Sequence, residues 1–160
     1  RGPVAGYDAW LMPVVHALLQ VGEDIDRLVE RVPAEHVWLR PGGAASIGFH
    51  IRHTEGALDR LFTYARGEVL SDAQKAALRA EEEPGNPAPS LRALASDAHA
   101  TLDLALAQLH ATSRDTLFDE RRVGRAGLPS NVLGLLFHAA EHSTRHIGQA
   151  ISTARLLSAR

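Results

Sequence analysis

The apolar positions of this chain recur at steps of three and four residues, the spacing that places side chains on one face of an α-helix. The first run covers residues 11–32 and predicts a long helix that begins near Met12 and ends at Pro33. Pro13 lies inside this run, so it stands either in the first helical turn or at a kink. The N-terminal part of the chain is therefore predicted to form one amphipathic helix.

Two further helices are predicted before the middle of the chain. Ser46 is a suitable N-cap for a second long helix, and Gly67 is a natural end for it. Ser71 is followed by Gln74 at the spacing of a capping box, which predicts a short helix to about Ala80.

The second half of the chain contains another long amphipathic run. After a predicted loop at residues 81–87, Pro89 and Ser90 open a third long helix that is expected to end near Ala111. Residues 116–127 show no apolar periodicity and are predicted to form an irregular crossover.

The last amphipathic run follows Pro129 and Ser130, which are expected to cap a fourth long helix that extends to about Leu157. Four long helices without sustained period-two alternation predict an all-α four-helix bundle, with a short extra helix between the second and third long helices. A mixed α/β fold is disfavoured. The long connections leave the topology of the bundle open.

Composition narrows the class of protein. The 160 residues are 45% hydrophobic and include 17 basic and 19 acidic side chains, which predicts one globular domain over residues 1–160 and excludes a disordered chain. The near balance of charge argues against binding to nucleic acid. With no cysteine, the chain can form neither a disulfide nor a thiolate metal site, so any metal must be bound by His, Asp, Glu or water.

No membrane segment is expected. The longest uncharged stretches, residues 9–22 and 126–140, are shorter than the ~20 residues that a bilayer span requires. The chain also starts without the pattern of a cleavable signal peptide, and residues 1–6 are expected to be a processed terminus. The predicted location is the cytoplasm.

Five of the nine histidines fall in two predicted helices. His50 and His53 lie on the second long helix, and His138, His142 and His146 lie on the fourth. His142 and His146 are one helical turn apart and border the apolar seam, so their rings can face the second helix. Three neutral imidazoles from two helices would bind Zn²⁺ or Ni²⁺ and leave positions open for water or substrate. A single histidine at a half-buried face is usually an ordinary hydrogen-bonded residue, and it is the grouping of three or more that favours a metal site.

Two parts of the sequence resemble the DinB-like, or YfiT-like, family of metal-binding four-helix bundles. The first part is W-L-R-P at residues 38–41, followed by S-I-G-F-H-I-R-H at residues 46–53. The second is H-A-A-E-H-S-T-R-H-I-G-Q at residues 138–149. With the order of helices, the resemblance extends over nearly the whole chain.

The resemblance implies a set of metal ligands. One histidine of the second helix and two of the late helix bind a divalent metal in that family, and the matching positions are His53, His142 and His146. His50 is the reserve candidate, because the choice of His53 depends on its distance from the S-I-G segment. His138 matches a position that the family often fills with a histidine that is not a ligand, so it is expected to be a hydrogen-bonding neighbour.

The charged neighbours of these ligands are candidates for supporting roles. Glu141, Glu55 and His138 are the nearby titratable groups; helical geometry turns Glu141 and Glu55 to the side of the ligands or toward solvent, and no general base is assigned. Arg52 and Arg145 flank the ligands and are candidates for binding an anionic group, although such arginines more often pair with acids. His50, His138, Glu141 and Arg145 are therefore expected around the ligands rather than among them.

The resemblance also implies an up-down-down-up bundle and a homodimer. Family members include transferases that use low-molecular-weight thiols, a mycothiol-dependent isomerase and proposed hydrolases. The leading hypothesis is a metal-dependent enzyme that activates water or a thiol toward a small-molecule substrate, with the thiol supplied from solution because the chain has no cysteine. The alternative is a non-catalytic, stress-inducible or DNA-damage-inducible metal-binding scaffold.

Overall fold

The structure, a computed structural model, describes residues 1–159 and is built from four long helices and one short helix. Pro13 lies in the first turn of the first helix, not at a kink. Three short 3₁₀ turns and one β-hairpin complete the connections. The helices are α1 (Met12–Arg31), α2 (Ile47–Ala65), α3 (Asp72–Ala80), α4 (Leu91–Ala111) and α5 (Val132–Ser158), and the strands are β1 (Glu120–Val123) and β2 (Leu128–Asn131).

Serine side chains begin three of these helices, as the sequence predicts. Ser46 accepts a hydrogen bond from the backbone N–H of Phe49 at 3.1 Å, and Ser90 caps α4 in the same way. Ser71 and Gln74 form the full reciprocal capping box at the start of α3. Each cap satisfies a backbone donor that the helix itself leaves without a partner.

The connection before α5 differs from its predicted form. Where an irregular crossover was expected at residues 116–127, β1 and β2 pair in an antiparallel hairpin with Glu120 opposite Asn131. The predicted cap at Pro129 and Ser130 is also wrong, because both residues belong to β2. Asn131 is the N-cap, and its side chain accepts a hydrogen bond from the backbone of the first turn of α5 at 2.7 Å.

Side-chain contacts fix the relative directions of α1, α2 and α4. Asp26, late in α1, accepts a hydrogen bond from His99 in the first half of α4, while Tyr7, before α1, packs edge-on against His110 at the end of α4. These two helices are therefore antiparallel.

Helices α2 and α4 run in the same direction. Thr101 donates to Glu55 at 3.4 Å, and farther along both helices the Gln108 side chain donates to the carbonyl of Phe62 at 3.1 Å. Helices α2 and α5 are antiparallel, because His50 contacts His146 and His53 contacts His142. The bundle is therefore up-down-down-up in chain order.

A continuous apolar core fills the space between the four long helices. Leu18 and Ile25 of α1, Ile51 of α2, Leu109 of α4 and Ile147 of α5 are almost completely buried. Such burial is the main stabilising contribution to a helical bundle of this size. Among residues 1–159, no helix is both long enough and apolar enough to cross a membrane.

Candidate metal centre

Helices α2 and α5 bring four histidines into contact, near the start of α2 and the middle of α5. His53 Nε2 lies 2.9 Å from His142 Nε2, and His50 Nδ1 lies 3.1 Å from His146 Nδ1. The earlier residue of α2 meets the later residue of α5, so the two helices are antiparallel. The sequence places His50 and His53 on α2, and His142 and His146 on α5. The packing of α2 against α5 then brings the histidines of the two helices into contact.

Three of these imidazoles can share one metal ion. One ring nitrogen from each of His53, His142 and His146 can be chosen so that all three nitrogens lie within 4.8 Å of one another. Nitrogens bound at ~2.1 Å to one tetrahedral ion are separated by about 3.4 Å, so the described arrangement is close to that of a bound site. Imidazole nitrogen is a ligand that Zn²⁺ and Ni²⁺ favour, and the donor set therefore fits such an ion.

A buried carboxylate forms a hydrogen bond with His53 at the ring nitrogen that does not face His142. The His53 Nδ1–H donates to Glu81 Oε2 at 2.6 Å, and the Arg60 guanidinium donates to Glu81 Oε1 at 2.5 Å. Burial by itself raises the pKa of the Glu81 carboxyl, but these two hydrogen bonds outweigh that effect and hold its pKa below the ordinary value. Glu81 is thus an ionised acceptor, and the lone pair of His53 is on Nε2, the nitrogen that faces His142.

His142 is the partner of His53 across the helix interface. The Arg145 guanidinium donates to His142 Nδ1 at 2.8 Å, so the neutral ring carries its proton on Nε2 and donates it to His53 Nε2. Burial is the main cause that lowers the pKa of His142, and the nearby Arg145 guanidinium lowers it further. To hold an ion through Nε2 as a neutral ring, His142 would carry its proton on Nδ1, and Arg145 would then have to turn away from that nitrogen.

His146 and His50 form the second contact between the helices. Since His146 Nδ1 faces His50 Nδ1, the Nε2 atom of His146 is the ring nitrogen left for an ion. Burial is the main cause that lowers the pKa of His146 to about 4, with added repulsion from the neighbouring imidazoles. Burial also lowers the pKa of His50, which is 5% exposed. The lowered pKa values keep the His50 and His146 rings neutral at physiological pH, the form of imidazole that binds metal.

An aromatic ring packs against one side of the cluster. Phe49 stacks on His53 with ring centroids 5.4 Å apart and planes inclined by 15°, and it meets His50 and His146 edge-on. It thereby provides an apolar wall beside the candidate ligands, and a hydrophobic wall limits the access of water to a metal site.

The other expected neighbours on α5 lie at the exposed edge of the cluster. His138 Nδ1 is 2.7 Å from Glu141 Oε1, and Arg145 approaches the same carboxylate at 3.6 Å. His138, Glu141 and His142 also form a second group whose ligand atoms lie within 4.8 Å of one another. The structure therefore places His138 and Glu141 beside His142, and they contact each other more closely than they contact the three candidate ligands.

Arg52 and Glu55 have roles different from those considered from the sequence. Arg52 lies over the Trp38 ring at 4.8 Å and donates to the backbone carbonyls of Glu83 and Pro84, so it holds a loop rather than a substrate. Glu55 faces α4, where burial and nearby acidic side chains raise its pKa. A groove of about 470 Å³ is lined by both residues and by Glu81.

Sequence reasoning missed three contributors to the site. Phe49 could have been found, because it precedes His53 by four residues and thus lies on the same helical face. Arg60 follows His53 by seven residues and therefore shares its helical face too, whereas Glu81 carries no such signal: it follows α3 in what was predicted to be a loop, 28 residues after His53. Only the packing of that segment against α2 brings its carboxylate to the histidine.

Comparison with known proteins agrees with this architecture. A protein-family model described as the DinB superfamily matches residues 17–150. The crystal structure of a DinB-like protein from Bacillus cereus ATCC 10987 is similar, with a TM-score of 0.62 and 14% sequence identity over 88% of this chain and 91% of that chain. At this identity the structural likeness supports the fold alone. No curated protein gives a significant sequence match. The family match covers most of the bundle, including the parts of α2 and α5 that carry the histidines, and the chain belongs to the DinB superfamily.

Proposed function

We propose that this protein is a metal-dependent enzyme in which His53, His142 and His146 hold one divalent ion, Zn²⁺ or Ni²⁺. The observation that carries the proposal is the convergence of three imidazoles from two helices within 4.8 Å. Three protein ligands leave a coordination position for water or substrate, which is the pattern of catalytic rather than structural zinc sites. When bound, the ion would supply Lewis-acid chemistry that lowers the pKa of a coordinated water or low-molecular-weight thiol.

The residues around the triad orient it and control its surroundings. Glu81 contacts Nδ1 of His53, and His50 contacts Nδ1 of His146. These contacts direct the Nε2 atoms of both rings toward the shared position. Phe49 shields one side of the cluster from water. The rings of His53, His142 and His146 are only partly buried, so the proposed position stays accessible to a small molecule.

The proposed reaction is hydrolysis or transfer of a thiol to an electrophile. Both reactions need a nucleophile that is deprotonated at neutral pH, and both are compatible with a chain that lacks a cysteine of its own. The His138–Glu141 pair is the titratable pair nearest to His142 on the exposed side and is available to exchange protons with bound substrate. The homodimer and the cytoplasmic location stay predictions.

The test is the metal content of untagged protein purified without a nickel column, measured by inductively coupled plasma mass spectrometry. We expect about one divalent ion per chain in the wild type and loss of that ion in His142→Ala. His99→Ala is the matched control, because His99 bonds to Asp26 on the α1–α4 side of the bundle. A wild type that contains no metal and binds neither Zn²⁺ nor Ni²⁺ would refute the metal site.

The metal-loaded protein then distinguishes the two functional classes. Turnover of an activated ester, or of an electrophile with added thiol, that disappears in His142→Ala would support the enzyme. A stoichiometric ion without any such turnover would favour the alternative, a non-catalytic metal-binding scaffold.

A further inference from the structure

A buried ion pair joins α2 to the residue that follows α3, next to His53. Glu81 is 5% exposed and Arg60 is 8% exposed, and their side chains meet at 2.5 Å. The second carboxylate oxygen of Glu81 accepts the His53 Nδ1–H at 2.6 Å. One carboxylate therefore serves two donors, and each of its oxygens has one partner.

The sequence of α2 leaves room for this pair. A Cβ atom on Gly56 would lie 2.7 Å from an Arg60 guanidinium nitrogen and 2.8 Å from Glu81 Oε1, which is closer than real Cβ contacts. Glycine is unfavourable in the middle of a helix. The absence of a side chain at residue 56 is thus explained by the close passage of Arg60 and Glu81.

The segment that carries Glu81 is itself held against α2. Arg52, one residue before His53, donates to the carbonyls of Glu83 and Pro84. The Trp38 indole N–H donates to the carbonyl of Pro89 at 3.0 Å, so the far end of the same loop is also fixed. These bonds restrict the loop after α3 and keep the Glu81 carboxylate in place.

We infer that Glu81 is a positioning residue for the proposed metal ligand His53. Arg60 holds Glu81 in the required place, and the absence of a side chain at Gly56 leaves the space that the pair occupies. Accepting the Nδ1–H fixes the His53 ring with its Nε2 lone pair toward His142 and the shared position. The inference rests on the proposed function, because it requires that His53 bind metal. It adds a contribution from a segment that lies outside both histidine-bearing helices.

The first test replaces the pair by apolar side chains of similar size, Arg60→Met/Glu81→Leu. Because both charges are removed together, no unpaired charge is left in the interior and the bundle is expected to stay folded. His53 loses its acceptor, so Zn²⁺ affinity measured by chelator competition should fall about 10- to 100-fold. The matched control is Arg66→Met/Glu68→Leu, which removes an exposed ion pair just past the end of α2 and should bind Zn²⁺ like the wild type.

The second test changes no polar group. Gly56→Ala should displace the Arg60–Glu81 pair and weaken Zn²⁺ binding in the same direction. Gly22→Ala is the control, since a Cβ on that buried α1 glycine meets its nearest neighbour, His99, at 3.4 Å and α1 carries none of the site residues. Circular dichroism melts of all four variants report whether the fold is retained.

Nitrogen-15 NMR of the histidine rings in the metal-free protein separates positioning from general stability. The wild type should show His53 protonated at Nδ1, and Arg60→Met/Glu81→Leu should lose this preference. Unchanged ring shifts together with wild-type Zn²⁺ affinity in the double variant would overturn the inference, while loss of the ion in His142→Ala would still support the metal site. A wild type that binds no ion would overturn both.

Discussion

At the scale of single residues, burial controls the protonation of the candidate ligands. His146 has a pKa of about 4 because its ring is desolvated and lies beside three other imidazoles. The pKa values of His50 and His142 are lowered by the same main cause. In an unfolded chain these rings titrate near their ordinary value of about 6.5, so the unfolded state takes up protons at a higher pH than the folded state does.

This difference predicts a pH-dependent stability of the metal-free protein. Well above pH 6.5 the rings are neutral in both states, and as pH falls through 6.5 toward 4 the free energy of unfolding should decrease. Solvent screening of the partly exposed His146 ring limits its share of the loss to about 1–2 kcal/mol. Urea unfolding of chelated protein between pH 4 and 8 measures the effect. His146→Gln should show a smaller loss, and equal losses in both proteins would contradict this account.

At the scale of elements, α2 and the loop before it approach each other closely at Gly48. The Trp38 indole packs on Gly48 so closely that a Cβ there would lie 2.8 Å from its ring. The same indole contacts Arg52 and the carbonyl of Pro89, so this approach joins the loop before α2 to the loop before α4. Both loops border the helix that presents His53.

Gly48→Ala is therefore expected to destabilise the protein by about 1–3 kcal/mol through overpacking. Gly148→Ala on α5 is the matched control, because a Cβ at that exposed position meets nothing within 4 Å. Alanine there should stabilise the helix by about 0.5–1 kcal/mol. Chemical unfolding followed by tryptophan fluorescence measures both changes, and equal effects of the two substitutions would refute the role of the Trp38 contact.

At the scale of the whole molecule, the core is largely separate from the candidate metal centre. Helices α1 and α4 contain none of the three candidate ligands, yet they contribute fully buried side chains such as Leu18 and Leu109. The apolar contacts of these helices do not depend on an ion. The proposed metal centre would therefore differ from a small zinc domain, in which the metal supplies most of the folding free energy.

Metal removal should therefore leave the bundle folded but less stable. At a free Zn²⁺ concentration 100-fold above Kd, binding adds about 2.7 kcal/mol to the free energy of unfolding. For a chain of this length that corresponds to an increase in Tm of about 5–10 °C. Calorimetry of chelated and reloaded protein measures the shift. Loss of the helical signal on chelation would instead indicate a structural ion.

The local features of the fold could be predicted from the sequence. Apolar spacing predicted the long helices, serine caps at Ser46 and Ser90 predicted two of their starts, and Ser71 predicted the start of the short helix. The one-turn separation of His142 and His146 placed their rings together. These features depend on residues within a few positions of one another, and helix geometry alone relates such residues.

The remaining features were decided by tertiary packing. The four-residue strands of the hairpin are too short and too polar to show a periodic pattern, and pairing with each other stabilises them. From the sequence, Arg52 was a candidate for binding an anion. In the folded protein its guanidinium donates to the backbone carbonyls of Glu83 and Pro84 instead. Glu81 reaches His53 only because α3 and its following loop pack on α2. The sequence by itself determined the helices and the histidine-bearing faces, whereas contacts between distant segments determined which groups surround the ligands, because such contacts leave no local pattern in the chain.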